Sequence, residues 1–182
     1  FYQGVPVREV RVTTNGNTGT YHALTVNLSR RFGSRYFAGV SYNLASAMNS
    51  ITDDHLGANP QEWTDVQRGE RAASDFLQRH RLVASGSVRL RWGLRASSIF
   101  IAASGLPVNA LTGVDNNGDS LVRDRPAGLG RNAFRGTPQR TFDLSLAKAV
   151  RLSESTGLEL RADGFNLLNN QNYYTFNNVY GN

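Results

Sequence analysis

The sequence predicts an all-β fold, an antiparallel meander of about six to seven strands, and three observations carry that prediction. Apolar and polar residues alternate with period two over segments such as Tyr21–Phe32, Tyr36–Met48 and Leu94–Ala103. The connections alternate between short ones at 33–35, 92–94 and 153–157 and long ones at 49–79 and 104–139. Aromatic residues gather at strand ends: Phe32, Tyr36, Trp92, Phe142, Tyr173, Tyr174 and Phe176. Short turns on one side, long loops on the other and strands of about ten residues are the pattern of a transmembrane outer-membrane β-barrel, whose strands are apolar outward and polar inward. A basic soluble β-domain with one wet face shares the alternation and is the alternative.

Residues 7–14 alternate weakly, and Asn15-Gly16-Asn17 is a turn signal. In Tyr21–Phe32, His22, Leu24, Val26 and Leu28 share a face against Ala23, Thr25, Asn27 and Ser29. After Gly33-Ser34-Arg35, Tyr36, Ala38, Val40, Tyr42 and Leu44 share the next apolar face. The polar segment 49–79 could include a short surface helix; a connection of that length is usually functional or disordered. His80–Trp92 sets Leu82, Ala84, Gly86, Val88 and Leu90 against Arg81, Val83, Ser85, Ser87, Arg89 and Arg91. Leu94–Ala103 returns with Leu94, Ala96, Ser98, Phe100 and Ala102 on one side.

The clearest hairpin is 140–170. Phe142, Leu144, Leu146, Val150 and Leu152 alternate with Asp143, Ser145, Ala147, Ala149 and Arg151. Leu158, Leu160 and Ala162 alternate with Glu159, Arg161 and Asp163. Pairing Leu152 with Leu158 would keep the faces in register and set Arg151 opposite Glu159. Lys148 and Asn166 then fall on the apolar face, where a charge costs about 2–4 kcal/mol at mid-membrane and little near an interface. Arg30 also falls there, close enough to a short turn to snorkel.

Composition narrows the function. The chain has no cysteine, so it has neither a disulfide framework nor a thiolate metal site. Its longest apolar run, Ile99–Ala103, is far short of the roughly 20 residues of a spanning helix. FYQGVPVREV lacks the basic and apolar regions of a signal peptide and reads as mid-protein. Because six or seven strands fall below the roughly eight of the smallest barrels, a fragment is expected. Net charge is +6, and all but one of the 20 basic residues are arginine. They lie at strand ends, in loops and on polar faces, without the stacking aromatics of a nucleic-acid groove, so no nucleic-acid partner is expected.

No catalytic constellation stands out, and the chain is not expected to be an enzyme. Ser74, Asp75 and His80 are close in sequence, but there is no GxSxG and a triad is a matter of geometry. His22, His55 and His80 lack metal-ligand spacing. The candidate metal site is Asp115, Asn117 and Asp119 with Asp124 downstream, oxygen donors suited to Ca²⁺. An EF-hand would need glycine and glutamate where Ser120 and Pro126 stand, so the match is to a looser Asp/Asn turn, and an Asx turn using no metal is the favoured alternative. No other cofactor is expected.

Several segments resemble the C-terminal barrel of TonB-dependent outer-membrane receptors of the Oar-like group. They are Tyr21-His22-Ala23-Leu24 through Arg30-Arg31-Phe32, GVSYN at Gly39–Asn43, SDFLQRHR at 74–81 and SGLP at 104–107. Asp124-Arg125-Pro126 with Gly130-Arg131-Asn132, FDLSL at 142–146 and RADGFNLLN at 161–169 complete the set. Order and spacing across most of the chain, more than any one motif, make the match specific. The resemblance implies a bacterial outer-membrane location and that 1–182 is the C-terminal portion of a 22-strand barrel, its plug and most strands absent. The implied partners are outer-membrane lipid, the protein's own plug and remaining strands, and TonB through the missing N-terminal part. The implied function is uptake of an unidentified substrate; adhesion or surface organisation without uptake is the alternative.

Overall fold

A computed structural model describes residues 17–50, 70–118, 122–173 and 176–180. The weak strand at 7–14 and residues 51–69 of the segment expected to include a short surface helix lie outside the described residues, and the described part of that segment, 70–79, is not helical. Six strands form the body of one antiparallel sheet: β1 (Gly19–Phe32), β2 (Tyr36–Asn49), β4 (His80–Arg89), β5 (Leu94–Ala103), β8 (Gln139–Arg151) and β9 (Gly157–Gly164). They are paired in the order β1-β2-β4-β5-β8-β9, with the two-residue β3 (Ala72–Ala73) added to the end of β2. A separate ribbon pairs β6 (Pro107–Val108) with β7 (Phe134–Arg135) inside the second long connection. The predicted meander is the observed one, and among the described residues the sheet is open, with β1 and β9 at its edges.

The register carries each apolar face across its neighbours. Leu24 stands opposite Leu44, Val26 opposite Tyr42 and Leu28 opposite Val40. Tyr42 also meets Leu82, while Phe100 lies between Ala84 and Phe142. The other face carries rows such as Ser87–Ser97–Ser145–Asp163 and Arg89–Arg95–Ala147–Arg161. A slip of one residue anywhere would mix the two sets.

Several sequence expectations need correction. Leu158 pairs with Val150, not Leu152, so Arg151 faces Gly157 and Glu159 faces Ala149. This displacement of two residues preserves the faces. It arises because Leu152 leaves the ladder and its N–H donates to the Thr156 carbonyl at 2.9 Å, closing a turn over 152–156. β4 ends at Arg89, and Arg91–Gly93 form a single 3-10 turn, so Arg91 is a rim residue, not a face residue. Trp92 adopts φ 58 there and Gly93 φ 72; a Cβ on Gly93 would come within 2.8 Å of the Ala149 carbonyl oxygen. Asn166 lies beyond β9 with φ 48, in a turn rather than on the apolar face. Lys148 does lie on that face, but beside Leu94, the first residue of β5 after a short turn. That places its charge near an interface, where the cost is small.

Hydrophobic burial runs opposite to that of a water-soluble domain. The buried apolar residues are small: Ala45, Ala72, Ala103, Ala110 and Ala147, with Leu77. The large ones are bare, Leu28 at 68% and Leu160 at 56% exposed, alongside Leu24, Val26, Val40, Leu146 and Leu158. Fully covering such a side chain is worth about 1.5–3 kcal/mol. At the half coverage seen here, this row leaves on the order of 5–10 kcal/mol unrealised, comparable with the whole stability of many domains. An apolar solvent recovers that term without another protein layer. Aromatic side chains border the face at the short-turn end, where Phe32, Tyr36 and Trp92 are exposed and the Arg30 guanidinium lies 4.3 Å from the Phe32 ring centroid.

Spin labels at Val26 and Leu146 are expected to relax with lipid-soluble oxygen, and labels at Asn27 and Ser145 with a water-soluble nickel chelate. The reverse pattern would invert the assignment of faces.

Candidate functional site

β2 outruns its neighbour on the long-connection side. Its ladder with β4 ends at Leu44 and His80, leaving Ala45–Asn49 to project further. β3 pairs with Met48 and Asn49 at that tip, so residues 70–78 begin there and turn back over the polar face. They lie beside Tyr21, Asn43, Ala45 and Arg81 around a hollow of about 280 Å³. The Gln78 amide donates to the Gln139 side chain at 2.8 Å, while its own oxygen accepts from Arg81 at 3.1 Å.

The second long connection meets the first in a buried ionic knot. Glu70, 2% exposed, receives both terminal nitrogens of Arg125, at 3.2 and 2.5 Å. Arg131, 3% exposed, donates from Nε to the Glu70 carbonyl at 3.0 Å and from Nη1 to Asp75 at 3.0 Å. Its Nη2 donates to the backbone and side-chain oxygens of Asn49. The Asn132 amide donates to the Ala73 carbonyl at 2.7 Å and to Asp75. Two guanidiniums thus balance two carboxylates, and Arg131 alone ties the tip of β2, residues 70–75 and the second connection together. The planar, always charged guanidinium suits this; a lysine ammonium could not match the same set of acceptors. Burying these charges is tolerable only because each is paired and hydrogen-bonded.

Below the knot, Gly105 comes so close to Gly136 that a Cβ would lie 1.9 Å from its carbonyl oxygen. The Gly136 N–H donates to the Leu106 carbonyl at 2.8 Å as β6 and β7 pair. The chain after β9 also returns here. Asn172 bonds both backbone groups of Arg140, accepting at 2.8 Å and donating at 3.0 Å. Further on, Val179 forms a parallel bridge with Leu111, and Asn178 donates to the Asn109 carbonyl at 2.8 Å.

Of the candidate cation ligands, Asp124 is 1% exposed and uses Oδ2 to accept the N–H groups of Asn116 and Asn117, at 2.5 and 3.1 Å. Its carbonyl accepts from the Thr112 N–H at 2.7 Å. Asp115 Oδ1 accepts the Gly118 N–H at 2.7 Å. Asp119 lies outside the described residues, and Asn117 is exposed. Among the described residues, no three His, Cys, Asp or Glu side chains group as metal ligands. Both described carboxylates hold an Asx-type turn through its backbone. Ser74, Asp75 and His80 are drawn to different partners: Asp75 takes Arg131 and Asn132, and His80 Nδ1 lies 2.7 Å from the Tyr42 hydroxyl.

The knot is what sequence reasoning missed. Its members are 55 to 61 positions apart across Glu70–Arg125 and Glu70–Arg131, so no local spacing announces it. The signal available was the pair of arginines Arg125 and Arg131, in segments that carry the resemblance, together with an acidic first long connection.

Replacing Arg131 by Ala should leave two carboxylates short of a partner and cost about 3–5 kcal/mol of local stability. Hydrogen exchange at 72–77 and 122–132 would report it, with strand amides of β4 and β5 unchanged. Replacing Asp124 by Ala should speed protease cleavage within 104–139 equally in calcium and in chelator, by the loss of about 1.5–3 kcal/mol of charged hydrogen bonding. An effect confined to calcium buffer would instead identify a cation site.

Searches of curated proteins and of solved structures returned no match. A family model described as an outer membrane beta barrel domain matches residues 2–130 and 127–182, almost the entire chain. It agrees with the bare apolar face and the division of short turns from long loops, and it sets aside the soluble β-domain alternative. The chain belongs to the outer membrane β-barrel domain family and is part of a bacterial outer-membrane protein.

Proposed function

We propose that this chain is the C-terminal part of a TonB-dependent receptor barrel of the Oar-like group, contributing to uptake of a substrate across the outer membrane. The supporting observation is convergence. Segments that carry the resemblance, 74–81, 124–126 and 130–132, are far apart in sequence, yet Asp75, Arg125, Arg131 and Asn132 meet in one knot. In an outer-membrane barrel the long loops face outward, so the knot holds both long connections at the outer mouth, where a substrate would arrive. The polar inner face, with Arg81, Asp143, Arg161 and Asp163 along its rows, suits a water-filled or plugged lumen. The plug and the remaining strands are assigned to other parts of the protein. TonB, acting on that plug, would deliver energy from the inner membrane.

The test is a photo-crosslinking experiment in cells with the intact protein and TonB. A crosslink to TonB that disappears when the proton gradient is collapsed is the expected result. Normal surface display with no TonB crosslink under any condition would eliminate uptake and leave adhesion or surface organisation as the role.

A further inference from the structure

The polar face changes character at the short-turn end. There Arg31, Arg35, Arg89 and Arg95 line a hollow of about 410 Å³, together with Tyr36 and Ser87. Arg89 and Arg95 are direct cross-strand partners, an arrangement in which like charges repel. Arg31 is one row away, reached through Phe37 and Ser87. Arg35 is fixed by the turn, because the Arg89 N–H donates to its carbonyl at 2.8 Å. Among the described residues, Arg95 alone of the four has a carboxylate within ion-pair distance, Glu159 at 3.5 Å. The nearby Arg161 is occupied by Asp163 at 2.9 Å. The hollow therefore concentrates positive charge on backbone positions that the ladder and the turn hold in place.

We propose that this hollow is a binding site for a phosphate dianion. Three guanidiniums that lack a carboxylate partner among the described residues exceed what one carboxylate could neutralise. A phosphate presents several oxygens on two charges and accepts bidentate guanidinium bonds. The Ser87 hydroxyl supplies a further donor. The volume falls within the range of small-molecule sites, so the dianion can be free phosphate or the phosphate monoester of a small organic molecule. The site lies at the mouth opposite the ionic knot and stands on its own side chains, independent of whether the protein takes up a substrate.

Calorimetric titration of the intact protein in detergent micelles, in chloride buffer, separates the sources. Inorganic phosphate and glycerol 3-phosphate are titrated in turn. Saturable binding of either supports the site; equal affinities identify free phosphate as sufficient, and a tighter glycerol 3-phosphate identifies a monoester. The double variant Arg35→Gln, Arg89→Gln should weaken binding at least tenfold while circular dichroism shows unchanged strand content. Arg161→Gln, which removes an arginine already paired, should change it by less than twofold. Affinity should also fall as sodium chloride is raised. The proposal is overturned if neither probe binds saturably at millimolar concentration, if Arg161→Gln weakens binding as much as the double variant, or if only an acidic peptide binds.

Discussion

The fold depends on side-chain parity. Each strand sends alternate residues to hydrocarbon and to an aqueous interior, and every ladder must preserve that assignment. The outer set, Leu24, Val26, Leu28, Val40, Leu146 and Leu160, would be a liability in water; in a bilayer it is the only solvent-compatible surface. Backbone polarity is handled in the same stroke, because hydrogen bonding is lateral and leaves the outward face free of polar groups. The small buried residues follow. Ala45, Ala103 and Ala147 lie on the inward-facing side, where bulk gives way to loop and charge.

Inside and above that frame the chemistry inverts. Stability on the long-connection side comes from arginine and carboxylate rather than from leucine. Glu70, Arg125, Arg131 and Asp75 would be costly to desolvate singly, and together they form a charge-neutral group in which the Arg125 Nε alone is left without a hydrogen bond among the described residues. Asp124 holds its turn in the same manner, with backbone N–H groups standing in for arginine. Buried polarity of this kind is demanding of geometry, so it specifies one arrangement of the described parts of the two connections.

Much of the sheet was legible in the sequence because period two is local: Leu24-Val26-Leu28 or Phe142-Leu144-Leu146 announces its face without reference to anything distant. Limits of that locality account for the misses. The two-residue displacement at Val150 and Leu158 leaves parity intact, so alternation could not detect it. Trp92 and Asn166 take positive φ, a choice made by turns and not by pattern. The knot unites residues from two connections with the end of β2, and no spacing rule reaches so far. At 115–124 three acidic residues stand close together in sequence. Their described carboxylates cap backbone, a use that oxygen spacing alone does not distinguish from cation binding.

The fastening of Arg131 to Asn49, Glu70 and Asp75 has a mechanical consequence. Whatever drags the stretch 124–132 away from the mouth must either tear Arg125 from Glu70 or haul 70–75 along with it. The described parts of the two connections, 70–75 and 124–132, therefore answer to force as one unit, anchored at the tip of a single long hairpin.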